Sequence, residues 1–260
     1  MDSLKTRLTR GELLTGCMLT ANSPALVELL AICGYDYVLI DRQHTPASWE
    51  TVETLIRAAD AAGIASLVRI PEITEVEILR ALDLGAQGIL LPFVGSAADI
   101  IRTADAAYYH PKGNRSICSQ TRVAAYGVSG TPYIDRLAAL NERTLIIGVV
   151  EDMGGIEALP EILAVSPGVD AIAIGRGDLA ASLGFAGQQR VSEVLAAVEK
   201  GLALIDAARR ERPDLSLAVF TYGEEEIGTW RDHGATLFCH MSEVSFLAKS
   251  AKSYLDACKR

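Results

Sequence analysis

The chain has 260 residues, half of them hydrophobic, and a net charge of −9 with pI near 5.0. That length suits one large α/β domain or two small ones, with a mean hydropathy of +0.23 supplying a sizeable core. The acidic balance excludes the basic stripe of a nucleic-acid surface, and no apolar run reaches the roughly 18 residues of a membrane span.

Taken in chain order, the N-terminus "MDSLKTRLTRGELL" is charged and has neither the apolar region nor the cleavage site of a signal peptide. Near-continuous apolar runs then recur: "GCMLTA" (16–21), "YVLID" (37–41), "SLVRIP" (66–71), "GILLPF" (88–93), "LIIGVVE" (145–151), "AIAIG" (171–175), "LSLAVF" (215–220) and "ATLFCH" (235–240). Such runs fit parallel strands covered on both faces. Between them lie amphipathic segments such as "SWETVETLIRAADAAG", "EVEILRALDLG" and "VSEVLAAVEKGLALIDAARR", several ending in a C-capping Gly. Eight strands alternating with helices predict a single-domain (β/α)8 TIM barrel over residues 1–260. A doubly wound open sheet is the alternative, disfavoured because the first strand–helix turn "TANSPAL" lacks GxGxxG. The irregular stretch 110–132, placed after strand 4, is long for a connection and expected to be functional. The five cysteines (17, 33, 118, 239 and 258) form no CxxC pair and read as free thiols in a reducing cytoplasm.

In a barrel, chemistry sits where the strands end. There the sequence places Asp41 and His44 after strand 2, Arg69 near the end of strand 3, Glu151 closing strand 5 and Asp178 after strand 6 in "GRGDLAASLG". Glu151 and Asp178 end consecutive strands, so they either share an octahedral Mg²⁺ or Mn²⁺ or cap the helices that follow. Zinc fits poorly, since only four histidines are present and His240 reads as a satisfied rim histidine. Arg69 either clamps a substrate carboxylate and a developing enolate or closes a salt bridge with Asp41 or Glu151. None of the six lysines (5, 112, 200, 249, 252 and 259) closes a strand, which argues against a Schiff-base lysine and PLP. No Gly-rich cradle follows strands 7 and 8, where "TYGEEE" would repel phosphate, so no nucleotide or phosphosugar is expected.

Together, "GYDYVLIDRQHTPASWETV", "VRIPE", "LDLGAQGILLPFV", "PKGNRS", "TRVAAYG", "VEDMGGIEALPEIL" and "AIAIGRGDLAASLG" resemble the HpcH/HpaI aldolases in order and spacing, over roughly residues 10 to 245. The resemblance implies a pyruvate-binding TIM barrel of the phosphoenolpyruvate/pyruvate type that is a divalent-metal-dependent (Mg²⁺, Mn²⁺ or Co²⁺) aldolase. Its substrates would be pyruvate or a close 2-oxo acid and an aldehyde. It also implies a hexamer, a trimer of dimers with the last helix exchanged between subunits.

By motif, His44 resembles the base, Arg69 the pyruvate-binding residue, and Glu151 and Asp178 the metal ligands. Gly177 resembles a backbone contact to the pyruvate carboxylate, and Asp41 a partner for the imidazole. Asp83 resembles the acid that raises the histidine's basicity, although the residues alone make it an ordinary helix-surface position. The chain departs from the family pattern at Gln43 (often Glu), at Val149 in the substrate pocket (often Gln), at Met18 (commonly Trp) and at Arg176 ("GRGDL" for "GPADL"). Arg42 has no assigned role. Alternatives on the same site are an oxaloacetate decarboxylase and a citrate-lyase-like acyl-CoA lyase. For the latter, Lys112, Arg115 and Arg122 would furnish a basic entrance, unless they belong to a solvated or interface loop. A non-catalytic paralogue is the reading from another class.

Overall fold

The computed structural model describes residues 2–128 and 133–259, the side chains of 133 and 134 apart. Its elements run α1 (Leu4–Thr9), β1 (Leu14–Leu19), α2 (Pro24–Ile32), β2 (Tyr37–Asp41), α3 (Trp49–Ala62), β3 (Ala65–Arg69), α4 (Glu75–Asp83), β4 (Gly88–Leu91) and α5 (Ala97–Ala107). They continue with α6 (Tyr133–Arg143), β5 (Leu145–Val150), α7 (Met153–Ala164), β6 (Ala171–Ile174), α8 (Arg176–Ser182), α9 (Ser192–Glu211), β7 (Ser216–Thr221), α10 (Ile227–Asp232), β8 (Ala235–His240) and α11 (Glu243–Cys258). The strands pair in parallel in sequence order and close β8 onto β1, which is the expected barrel.

Alternation within each strand explains why the strands read as unbroken apolar runs. Met18, Leu39, Leu67, Leu90, Ile147 and Ala173 share the inner cluster, which Leu4 and Leu8 of α1 extend. Val38, Ile40, Val68, Ile89, Ile146 and Ile172 belong to a second cluster together with helix residues such as Leu55, Ile78 and Ile156. Both faces are buried, so both must be apolar. The turns follow the expected chemistry. Ser48 caps α3 by accepting from the Thr51 N–H, and Gly63 ends the helix at φ 72°.

Two expectations shift. The first strand starts at Leu14 rather than Gly16, because Gly16 lies inside the strand, where a Cβ would run into the Tyr37 ring. The long irregular stretch follows α5 rather than β4, so it leaves from the face where strands begin and not from the catalytic rim. Residues 129–132 of that stretch lie outside the described residues. Among the described residues, no helix is long and apolar enough to cross a membrane.

Candidate active site

At the ends of β3, β5 and β6 the barrel opens into a cavity of about 70 Å³. Arg69, Val149, Glu151, Arg176, Gly177 and Asp178 are among the residues that line it. Arg69 is the last residue of β3 and pairs in register with Asp41, the last of β2. Its Nε donates to Asp41 Oδ1 at 2.9 Å and its Nη2 to Oδ2 at 2.8 Å, a two-pronged grip on a fully buried carboxylate. Nη2 also contacts the Met18 sulfur at 3.4 Å. Asp41 Oδ1 further accepts the backbone N–H groups of Gln43 (2.9 Å) and His44 (3.3 Å), shaping the loop after β2. Of the two readings left open for Arg69, the internal salt bridge is present, and Nη1 is left without a partner among the described residues.

Glu151 follows β5 and is buried, and its Oε1 accepts the Phe93 N–H at 3.1 Å. Phe93 delivers that N–H from a left-handed backbone (φ 47°), a conformation that side-chain-bearing residues adopt mainly where surrounding structure holds them. Burial first, and the neighbouring Asp178 carboxyl second, push the Glu151 carboxyl up to about 8, against the Phe93 N–H and the Arg69 charge. Neither acid is the helix cap it could have been. Asp152 caps α7 by accepting from the Gly155 N–H at 2.7 Å, and Gly175 stands at the cap of α8, with Asp178 in the first turn. The two carboxylates therefore lie together, with the Arg69 guanidinium acting on Glu151.

The chain matches the HpcH/HpaI aldolase/citrate lyase family over residues 14–239. It belongs to that family. It is 33% identical over 254 residues to a hydroxypyruvate/pyruvate aldolase of Roseovarius nubinhibens, covering 98% of this chain and 95% of that one. It is 30% identical to a 4-hydroxy-2-oxo-heptane-1,7-dioate aldolase of Shigella sonnei, covering 97% and 93%. A crystal structure of an HpcH/HpaI aldolase/citrate lyase family protein from Burkholderia cenocepacia superposes with TM-score 0.90, 30% identity and full coverage of both chains.

Not every residue that family resemblance singled out is gathered by the structure. His44 is exposed on the loop after β2, does not line the cavity, and meets Asp41 through its backbone N–H rather than its ring. Asp83 has a different partner within this chain. It ends α4, on the side leading back into β4, and its Oδ1 accepts from the buried Arg115 Nη2 at 2.5 Å. The three cations of the long loop are also occupied, Lys112 by Glu142 (2.7 Å), Arg115 by Asp83 and Arg122 by Asp60 (2.5 Å), and none lines the cavity.

Arg42 gains a role. It forms an ion pair with Glu77 and lies 4.0 Å over the Trp49 ring, tying the loop after β2 to α4. His240 is satisfied at the rim, stacked on Phe246 at 3.9 Å with Nε2 3.3 Å from Ser245 Oγ.

Three contributors carried no signal in the residues alone. Gly175 leaves the space that Glu151 fills, since a Cβ there would stand 2.7–2.9 Å from the glutamate's Cγ, Oε2 and Cδ. Glu243 is buried at the start of α11 and accepts the backbone N–H groups of Thr20 (2.8 and 3.0 Å) and Ala21 (2.5 Å), anchoring the loop after β1. Glu226 pairs with Arg176. Only the strand-ending Gly of "AIAIG" could have hinted at the first.

Proposed function

We propose that this chain is a divalent-metal-dependent aldolase that reversibly joins pyruvate, or a close 2-oxo acid, to an aldehyde, giving a 4-hydroxy-2-oxo acid. The observation that carries this reading is the buried Glu151 carboxyl lying beside Asp178 and pushed up by both burial and that neighbour. Two crowded carboxylates suit a hard divalent cation that takes its other oxygens from water and substrate. Among the described residues no group of three or more His, Cys, Asp or Glu gathers, so a site closed entirely by protein side chains is not the fit. Glu151 and Asp178 would hold Mg²⁺, Mn²⁺ or Co²⁺, which when bound polarises the 2-oxo group and acidifies the adjacent C–H.

The rest is the work of the chain itself. Arg69, fixed by Asp41, sets a permanent positive charge at the cavity where negative charge develops on the 2-oxo acid oxygen. Because Asp41 already orients the guanidinium, no reorganisation is needed at the moment of reaction. Gly177, without a side chain at the start of α8, lets the substrate carboxylate approach backbone, and Val149 closes the cavity with an apolar wall. His44, exposed on the loop after β2, would move the proton to and from the aldol hydroxyl. In the addition direction the pyruvate methyl carbon loses a proton and bonds to the aldehyde carbon, and the aldehyde oxygen gains a proton.

Assembly into a trimer of dimers with α11 exchanged is part of the proposal. It is supported by Leu247 (70% exposed) and Tyr254 (76% exposed) on a helix whose only buried residue is Glu243. A screen of aldehydes with pyruvate and Mn²⁺, with and without EDTA, tests the activity, with oxaloacetate alone as a parallel arm. Metal-dependent C–C bond formation is expected. Decarboxylation without any aldol product would replace the reading with its lyase alternative, and no metal-dependent pyruvate binding would leave a silent paralogue.

A further inference from the structure

Asp178 rides on backbone that has little of its own to hold it. Two of the three residues leading into it, Gly175 and Gly177, carry no side chain, and glycine has the most backbone freedom to lose. The helix they open, α8, has only seven residues and no side-chain cap at its start. The backbone secures its first residue. The Gly175 N–H donates to the Val150 carbonyl at 2.9 Å, and the Gly175 carbonyl accepts from the Leu179 N–H at 3.0 Å.

Arg176, between the two glycines, supplies a grip that they cannot. Its Nη2 donates to Glu226 Oε2 at 2.8 Å and to the Phe220 carbonyl at 3.2 Å, while Nη1 donates to Glu226 Oε1 at 3.3 Å. The guanidinium carbon lies 5.2 Å from the Trp230 ring centroid and 5.8 Å from that of Tyr222. The turn after β6 is thereby fastened to β7, to the turn after β7 and to α10. Glu226 also accepts the Tyr222 N–H at 3.5 Å, so the anchor is itself held. Both members of the ion pair are 13% exposed. A pair this far from water gains little net stability over apolar packing, so stability alone is a weak reason for one here. What it supplies is geometry, because a planar guanidinium that takes both oxygens of one carboxylate fixes the chain that carries it.

We infer that Arg176, held by Glu226, is a positioning residue for the metal ligand Asp178, fixing the glycine-flanked turn after β6 so that the Asp178 carboxylate lies beside Glu151. The inference rests on the aldolase reading above, which makes Asp178 a ligand, and deepens it. Charge and position predict opposite results. Arg176 and Asp178 line the same cavity. Removing a cation there would, by charge alone, tighten the binding of Mn²⁺. Removing the grip lets Asp178 drift and weakens it.

The test is Mn²⁺ titration of the metal-free protein, read by the electron paramagnetic resonance of free and bound ion, with thermal melting alongside. Arg176→Ala is expected to weaken Mn²⁺ binding by about 10-fold or more, the scale for losing a group that orients a ligand. At saturating Mn²⁺ the signal of the bound ion should also change, because the symmetry of its ligands does. The R176A/E226A double variant keeps the net charge and strands no buried charge, so it should fold, and it should show the same loss.

A parent protein that binds no Mn²⁺ would sink the metal-dependent aldolase reading and this inference with it. Binding by the parent that either folded variant matches or betters would overturn the inference alone. So would weaker binding with an unchanged bound-ion signal, since Asp178 would then still be in place. Loss of the fold in both variants would make the pair a structural brace, and the inference would fall.

Discussion

Asp41 and Arg69 end neighbouring strands at the same register level, and the carboxylate holds the guanidinium with both oxygens, at 2.9 and 2.8 Å. The arginine is thereby aimed before any substrate arrives. Removing the acid leaves a largely buried cation without its counter-charge. Asp41→Ala should therefore destabilise the fold by about 3 kcal/mol, a Tm loss of roughly 6–12 °C for a chain of this size. Asp41→Asn keeps the shape and should lose less stability, yet still slow deuterium exchange into pyruvate. Calorimetry and the exchange assay read the two effects apart. An unshifted Tm in the alanine variant would show that the pair contributes no net stability.

His44 is exposed, and only its backbone N–H is recruited by Asp41. His44→Ala should consequently fold normally and bind Mn²⁺ as the parent does, while aldol cleavage falls by about 10²–10⁴-fold, the usual range for a positioned acid–base group. Turnover against a 4-hydroxy-2-oxo acid, alongside Mn²⁺ titration, is the measurement. Turnover close to that of the parent would take the proton-transfer role away from this residue.

The Glu151 carboxyl, pushed up to about 8 by burial and by Asp178, fixes a pH dependence with a definite sign. Its folded pKa lies above its unfolded value. In the metal-free protein its contribution to stability is thus fully present below the ordinary carboxylate range and is lost as pH rises through about 8. A divalent cation must displace that proton. Binding near pH 6.5 should release about one proton per ion, and affinity should climb with pH and level off above about 8. Mn²⁺ titrations in buffers of different ionisation enthalpy give the proton count directly, and Glu151→Gln should abolish both the release and the climb.

How far the sequence carried these conclusions follows from what each residue needs. Strands buried on both faces must be apolar throughout, so the barrel and all eight of its strand positions were legible to within about two residues, the usual blur of element ends. The first strand moved by two residues at its start, because a glycine that makes room for Tyr37 looks like a turn. Polar residues that follow the strands were also legible as a group, since Arg69, Glu151 and Asp178 stand out against the apolar runs before them, and the cavity gathers all three. What stayed hidden depends on partners far apart in the chain. Arg115 meets Asp83 across 32 positions, Arg176 meets Glu226 across 50, and Glu243 meets Thr20 across 223. No local pattern encodes such pairings.

Gly175 offers the sharpest test of the carboxylate pair, because its own contribution is empty space. The glycine stands at the cap of α8 with φ −80°, so an alanine fits the backbone there without strain. Its Cβ would nevertheless stand 2.7–2.9 Å from the Glu151 side chain. Only that side chain can give way, and its movement carries the carboxylate off the Phe93 N–H and away from Asp178. Gly175→Ala should therefore weaken Mn²⁺ binding by about 10-fold or more, in the range seen when groups that orient a metal ligand are lost. Melting temperature should move little, since the clash is relieved by a side-chain end rather than by backbone. Metal titration paired with thermal melting separates the outcomes. Unchanged Mn²⁺ affinity with a lowered Tm would mean that the space serves packing alone, and Glu151 would lose its place as a ligand.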